Sequence, residues 1–543
     1  MDNIPIVVAL SLVCATDLLE KRSGLYSDRP NLTVYVAMGW DPNLAFLPYG
    51  PRFRKHRKLL QSHFSEHGQA KFRPIQLQNA CLLAQGLMQN TKGYQHLVGR
   101  YTTAIVIRIA YGHQILSDDD IFVQTVHDCG YTLNNGGPPG GTVVDFFPIL
   151  MQLPSWFPGT YYANFARNWR WAVDKLYNQP YEYVQEQRTK GMAQPSFLLD
   201  QLEATSGQTL TDEEIGDIKG SSGVIFGAGA ETTWSSLETF LLAMLCYPDV
   251  QKKGQEEIDR VIGPDRLPTF DDFESLPYVG CVTQEILRWR PALPIGLPHC
   301  STEDDIYRGM FIPKGSIIFA NTMGMVLDDK VYVEPTRFNP GRFLPKSQGG
   351  NAEPPLGAAF GFGRRICPGR HLAAGSIWIA VATIFATIDI TKVKDEAGNE
   401  MIPELEYETG LTSRPKHFPC NTAPRDMGAV IGDEGDQLLQ TALGRTRDEF
   451  PNYSRLRKTR RRMKLLHCRL FGRNRDWIYW LRFDRSGNTL RRRVHSSQVD
   501  SLTPSQDICR SQPKDEPPRR TINRQHADGL VPSSWIRVGY VPA

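Results

Sequence analysis

The sequence predicts a mainly α fold with a small β region, and three observations carry that expectation. Through residues 1–425, Leu/Ile/Val-rich segments recur at helical rather than strand spacing, separated by Pro and Gly breaks. Strand candidates are few and short. One segment, 211–245, opens with Thr211-Asp212-Glu213-Glu214, a capping box that starts a long helix. The 543 residues would by length alone suggest three or four domains. Hydrophobic residues at 41% together with 46 glycines give the usual globular fraction. Charged residues at 22% and a net charge of +4 exclude a disordered polyelectrolyte. The longest apolar stretch, 4–15, is about a dozen residues, short of the roughly 20 a membrane span requires.

In chain order, 4–8 reads as a strand and 17–23 as a helix. The apolar start lacks a basic leader and runs straight into that helix, which argues against a secretion signal. Helices are expected over 57–87, 101–111, 164–190, 211–245, 248–262, 277–288 and 369–387, and strands over 306–307 and 316–321. Gly136-Gly137-Pro138-Pro139-Gly140-Gly141 is a loop, too poor in lysine to cradle a phosphate. The helix from Thr211 would be on the order of 50 Å long. It contains Gly216, Gly220, Gly223, Gly227 and Gly229, each destabilising by up to about 1 kcal/mol relative to Ala. Such a concession implies close approach of a ligand or a neighbour.

The ten cysteines form no CxxC pair, so neither a zinc ribbon nor a dithiol centre is signalled. Their spread reads as reduced thiols in an intracellular protein. Cys367 stands apart. Phe360-Gly361-Phe362-Gly363-Arg364-Arg365-Ile366-Cys367-Pro368-Gly369 builds a tight turn that leaves the sulfur on a loop, with a helix beginning immediately after it. The positive helix N-terminus and its backbone N–H groups are expected to lower the thiol pKa and hold a thiolate. A lone thiolate of this kind suits a ligand to the metal of a large cofactor, haem iron first. A buried cysteine in a Gly-rich turn is the plainer alternative.

The segment resembles the haem loop of the cytochrome P-450 family, FxxGxRxCxG, at Phe360, Gly363, Arg365, Cys367 and Gly369. The resemblance implies the cytochrome P-450 fold. It also implies haem b with Cys367 as the axial thiolate, Arg365 on a propionate and Phe360 shielding the sulfur. Ala228-Gly229-Ala230-Glu231-Thr232-Thr233 resembles the family's oxygen-activation motif. There Glu231 and Thr232 would supply protons to dioxygen as general-acid relays do. Glu285-Ile286-Leu287-Arg288, with Arg342 in Phe338-Asn339-Pro340-Gly341-Arg342-Phe343, resembles the family's structural triad. Phe53-Arg54-Lys55-His56-Arg57 sits where the family carries WxxxR. Arg57 would reach a propionate, while Phe53 removes an indole N–H worth about 1 kcal/mol. His299 falls at a further propionate position. Arg52, Arg54, Lys55 and Lys58 form a basic patch suited to an acidic reductase surface. Phe226, Ala230, Pro294, Ile295 and Leu297 are the expected substrate-pocket residues by family position.

What the resemblance implies is a monooxygenase using O2 and NADPH electrons from a separate cytochrome P-450 reductase. It would hydroxylate or epoxidise a hydrophobic small molecule: a terpenoid, polyketide or aromatic of fungal secondary metabolism, or a xenobiotic. Segments such as 268–272 and 276–279 look most like fungal enzymes similar to O-methylsterigmatocystin oxidoreductase. Location on the cytosolic face of the endoplasmic reticulum membrane is the family expectation. The chain starts inside what resembles the first sheet, so the membrane anchor and earliest strand are expected to be missing through truncation; as written it could be cytoplasmic. Retention of Glu231 and Thr232 argues against an enzyme that rearranges peroxides without activating oxygen. A truncated product unable to hold haem is the other alternative.

The domain boundary is expected near Arg425. Residues 426–543 carry about 23 Lys/Arg against about 13 Asp/Glu, a net charge near +10 that leaves the body near −6. Arginine runs interleaved with Trp477, Tyr479, Trp480 and Phe483 offer charge for phosphates and rings for base stacking. No nucleic-acid-binding fold signature accompanies them, so nucleic acid is not the expected partner, and a nucleic-acid-binding protein built on this basic tail stands as a further alternative. This tail reads as a disordered or fused low-complexity segment.

Overall fold

The computed structural model describes residues 6–425 apart from 90–92, 116, 118 and 356, and three short strands beyond them. Of those three, Arg482–Phe483 pairs antiparallel with Thr489–Leu490, and Val538–Tyr540 runs parallel to Ile6–Ala9. The rest of the predicted tail lies outside the described residues.

The chain opens with strand β1 (Ile6–Ala9), helix α1 (Leu12–Thr16) and a single π-turn, Asp17–Lys21. Helices α2 (Thr33–Ala37), α3 (Pro51–Phe64), α4 (Arg73–Gln89), α5 (Tyr94–Tyr111), α6 (Ile121–Asn135), α7 (Val143–Phe146), α8 (Tyr161–Thr189) and α9 (Phe197–Ala204) follow. The helix expected over 57–87 is two helices. It breaks after Phe64, where Ser65 turns extended, and a Cβ at Gly68 would lie 2.8 Å from the His63 carbonyl oxygen. Helices α6 and α9 were not anticipated. Each starts on a side-chain cap, Asp120 and Ser196, that accepts from a first-turn N–H.

The long helix α10 (Asp212–Cys246) has the predicted capping box, Thr211 and Glu214 exchanging bonds. It crosses the body, with α5, α6, α8, α9 and α14 (Arg370–Thr387) packed around it. Helices α11 (Pro248–Val261) and α12 (Pro277–Trp289) both begin at a proline, whose missing N–H is harmless in the first turn. A small region then holds β2 (His299–Cys300), the hairpin β3 (Asp305–Tyr307) and β4 (Met310–Ile312), β5 (Ile317–Ala320) and α13 (Thr322–Val326). Strand β1 runs parallel to β5 and β2 antiparallel to it. Strands β6 (Ile388–Thr391) and β7 (Asn421–Pro424) close the body as an antiparallel pair. The predicted mainly helical body with short strands is what forms, and the eight described cysteines are free.

Candidate active site

The Cys367 loop is fixed from three sides. The Cys367 N–H donates to the Phe360 carbonyl at 2.8 Å, closing the turn. Gly363 sits at φ +50°, and a Cβ there would lie 2.2 Å from the Leu19 carbonyl oxygen in the π-turn. Only glycine fits this contact. Gly369 caps α14 and directs its N–H toward the Cys367 sulfur. The expected lowering of the thiol pKa is not the net result. Burial raises it, and outweighs the Gly369 N–H and the nearby Arg57 and Arg370 charges that favour the thiolate. A metal at the sulfur would supply the missing positive charge and deprotonate the thiol.

Cationic side chains converge beside this loop with no acid paired to them. Arg57 on α3 is buried, and its Nη1 donates to the Ile366 carbonyl in the Cys367 loop. Arg365 gives its donors to the carbonyls of Ser27 (2.8 Å), Leu44 (3.3 Å) and Leu47 (2.8 Å). Its guanidinium lies 3.9 Å from the centre of the Phe53 ring, so the aromatic of the variant WxxxR position serves as a cation–π floor. Arg29, which the sequence reading did not single out, is buried and donates to the carbonyls of Ala45, Leu297 and Pro298. The buried His299 donates from Nδ1 to the Tyr26 carbonyl at 2.7 Å. Burial, then the neighbouring Arg29 charge, push its pKa down to about 3, so the ring is neutral.

Among the described residues, every bond from the Arg29, Arg57 and Arg365 guanidinium groups ends on a backbone carbonyl. Asp28 is near enough to favour the charges on Arg29 and Arg365, but one of its oxygens is already taken by the N–H groups of Arg29 and Tyr49. Guanidinium groups drawn out of water without an acid, Arg29 and Arg57 buried and Arg365 half-buried, are costly. A cluster of them next to a loop cysteine matches a group bearing both a metal and carboxylates. Haem, with iron for Cys367 and propionates for Arg57, Arg365 and His299, fits this donor set, and Arg29 joins it.

One face of helix α10 is left unpacked. Most of its middle is buried, yet Ala228 is exposed and Val224 and Thr232 are half-buried. These positions, i, i+4 and i+8, form one face. Thr232 Oγ1 donates to the Ala228 carbonyl at 3.0 Å, a bond that loosens the helix there. Glu231 points elsewhere and is buried. Its Oε1 accepts from Thr412 Oγ1 at 3.3 Å, and Thr412 also reaches Asn134 Oδ1 at 2.8 Å. Burial raises the Glu231 pKa. Adjacent in sequence, Glu231 and Thr232 therefore bond to different neighbours.

The glycines of α10 serve neighbours more than a ligand. A Cβ at Gly220 would meet the Pro42 carbonyl oxygen at 2.1 Å, at Gly223 the Tyr177 ring at 2.4 Å, and at Gly229 Val106 at 2.8 Å. The expected pocket residues Phe226 and Ala230 are fully buried, off the Val224–Ala228–Thr232 face, and Phe226 meets Tyr111 and Phe122 edge-on. A helix turns 100° per residue, so neither can share the Thr232 face. Ile295 is exposed, Pro294 and Leu297 are half-buried, and the Leu297 carbonyl is held by Arg29.

Residues 1–418 match the family model described as Cytochrome P450. The chain belongs to the cytochrome P450 family. It is 36% identical over 430 residues to a cytochrome P450 monooxygenase of Armillaria gallica, an overlap of 78% of this chain and 84% of that protein. It is 38% identical over 448 residues to cytochrome P450 monooxygenase 208 of Postia placenta, covering 82% and 85%. A zebra fish cytochrome P450 structure with progesterone superposes at a TM-score of 0.63 and 22% identity, over 77% of this chain and 93% of that one. The protein is a cytochrome P450 monooxygenase with fungal relatives, and its fold is the P450 fold.

In this P450 the Glu285–Arg288–Arg342 triad is complete and larger than predicted. Arg288 forks onto Glu285 through Nε (2.7 Å) and Nη2 (2.8 Å), and Arg342 Nε reaches Glu285 at 3.1 Å. Glu353 adds a bond to Arg342 at 2.6 Å, so two buried arginines face two acids. The predicted reductase patch is half committed to the fold. Arg52 (2.6 Å) and Lys55 (2.9 Å) both bond Asp217 on α10, and His56 lies 3.0 Å from it. Burial works against the Asp217 charge, but these donors bring its pKa down to about 2. Arg54 and Lys58 stay exposed.

Proposed function

We propose that this P450 is a haem-thiolate monooxygenase that hydroxylates or epoxidises a hydrophobic small molecule of fungal secondary metabolism, of terpenoid, polyketide or aromatic class. The observation that carries the reading is the Cys367 loop bordered by acid-free guanidinium groups. When bound, haem supplies oxygen activation. The chain's own part is to hold and position. Cys367 would ligate the iron, Arg57, Arg365 and His299 would hold the propionates, and the Thr232 hydroxyl lies on the unpacked face of α10. The buried Glu231, its pKa raised by desolvation, is the acid and Thr232 the hydroxyl of the proton route. Exclusion of water by the apolar body favours an apolar substrate.

Electrons come from an NADPH-cytochrome P450 reductase, for which exposed Arg54 and Lys58 offer a contact. Association with the endoplasmic reticulum membrane is supported by a cluster of exposed apolar side chains between α7 and α8. It includes Ile149 (59% exposed), Trp156 (78%) and Phe157 (40%). The carbon monoxide difference spectrum of the reduced protein tests the reading. A red-shifted thiolate band that Cys367→Ala abolishes is the expected result. Absence of the band in protein reconstituted with haem overturns it. Hydrophobic ligands that shift the haem absorption then narrow the substrate class.

A further inference from the structure

A second buried acid lies on α10 two turns beyond Glu231, and the proposed chemistry does not use it. Glu238 is fully buried; its Oε1 accepts from Trp234 Nε1 at 2.8 Å. Its Oε2 is buried with no hydrogen-bond partner, and so is Arg414 Nε, only 3.7 Å away. Arg414 stacks 4.1 Å from the centre of the Trp234 ring and bonds Glu408 through Nη2 at 3.3 Å. Glu231 is held by Thr412, two residues before Arg414 on the same segment. Residues seven apart on a helix share a face at a separation of about 10 Å. Burial, chiefly, raises the pKa of both acids, Glu238 to about 8, and the Arg414 charge is the strongest influence lowering each.

We propose that Glu238 is a positioning residue for Glu231: the two acids lie on one face of α10 beside a single arginine, so ionisation of either opposes ionisation of the other. Arg414 compensates one carboxylate fully at most, and in a low-dielectric site the second ionisation must work against the first. The other groups facing the pair are Glu408 on the Arg414 segment, Tyr94 from α5, and His127 from α6, which lies edge-on to Trp234. His127 is itself pushed toward neutrality, by burial first and then by Arg414 and His96. Glu408 is 44% exposed and solvent-screened, so it competes weakly for Arg414. The inference rests on the proposed proton-donor role of Glu231.

Infrared difference spectra of the haem-loaded protein, collected from pH 6 to 10, read the protonated carboxyl groups directly. The wild type is expected to lose two such groups in separate steps, the upper near pH 8. In Glu231→Gln, and equally in Glu238→Gln, the one remaining step should lie about one pH unit or more below that upper step. Glu238→Asp should restore two steps, and Arg414→Gln should raise both. An upper step that does not move in Glu231→Gln overturns the coupling. Reductase-driven peroxide release without added substrate separates the two ideas. If coupling is present but Glu231→Gln leaves the pH profile of peroxide release unchanged, the donor role fails and the coupling stands.

Discussion

Two groups of arginines in this P450 are drawn in from solvent, Arg365 only half-buried, and they differ in what balances them. Arg288 and Arg342 are bonded to Glu285 and Glu353, so their network is electrically complete within the chain. Arg29, Arg57 and Arg365 end on carbonyl oxygens, and the nearest neutralising influence is the partly occupied Asp28. The first group needs nothing further and holds the fold. The second carries unspent positive charge beside Cys367, which is how an anion-binding site differs from an ion pair.

The largest effect separating them is on stability. Glu285→Gln strands the buried Arg288 guanidinium, leaves Arg342 with Glu353 alone, and should destabilise the protein by about 3–5 kcal/mol, read as a lowered urea midpoint by circular dichroism. Arg29→Gln should leave that midpoint within about 1 kcal/mol, since it removes a charge that no acid balances. Equal losses in the two variants would make the second cluster structural and collapse the comparison.

Haem retention should show the reverse order. A bond from Arg29 or Arg57 to a propionate is charge-assisted and worth about 1.5–3 kcal/mol, so Arg29→Gln or Arg57→Gln should speed haem transfer to apomyoglobin by roughly ten- to a hundred-fold. Unchanged transfer rates in both would remove the propionate assignment.

A smaller signature is a proton. His299, its pKa pushed down to about 3, is neutral, because burial and the adjacent Arg29 disfavour its charged form. A propionate arriving there favours the imidazolium and raises that pKa. Haem loading near pH 6 should therefore take up a fraction of a proton, measurable with an indicator dye in unbuffered solution, and His299→Asn should abolish the uptake.

What the sequence disclosed follows the range of the interactions. The α10 start was legible because Thr211 and Glu214 are three residues apart, and the Glu285–Arg288 fork because one helical turn joins them. Arg29 was not, since its carbonyl partners Leu297 and Pro298 lie 268 and 269 residues away. Glu353 was equally silent, reaching Arg342 from a loop without periodicity. The thiol of Cys367 misled for another reason. The helix N-terminus is written in the sequence, whereas the desolvation that outweighs it comes from the packed fold. Phe226 and Ala230, assigned to the pocket by family position, lie buried off the Val224–Ala228–Thr232 face, an orientation set by helix phase and packing.

The finest test of the contrast is Phe53→Trp. Phe53 is 3% exposed and lies under the Arg365 guanidinium, so a larger indole must keep that stacking while adding an N–H. The gain is one hydrogen bond, about 1 kcal/mol, or a roughly fivefold slower haem loss. Overpacking of a buried site works against it. The two contributions separate experimentally. Strain lowers the urea midpoint whether or not haem is bound, whereas the new bond acts on haem transfer alone. A Phe53→Trp protein that holds haem longer at an unchanged midpoint would show that the site is limited by donors to the propionates. If haem loss and midpoint both worsen, the ring is there chiefly to seat Arg365.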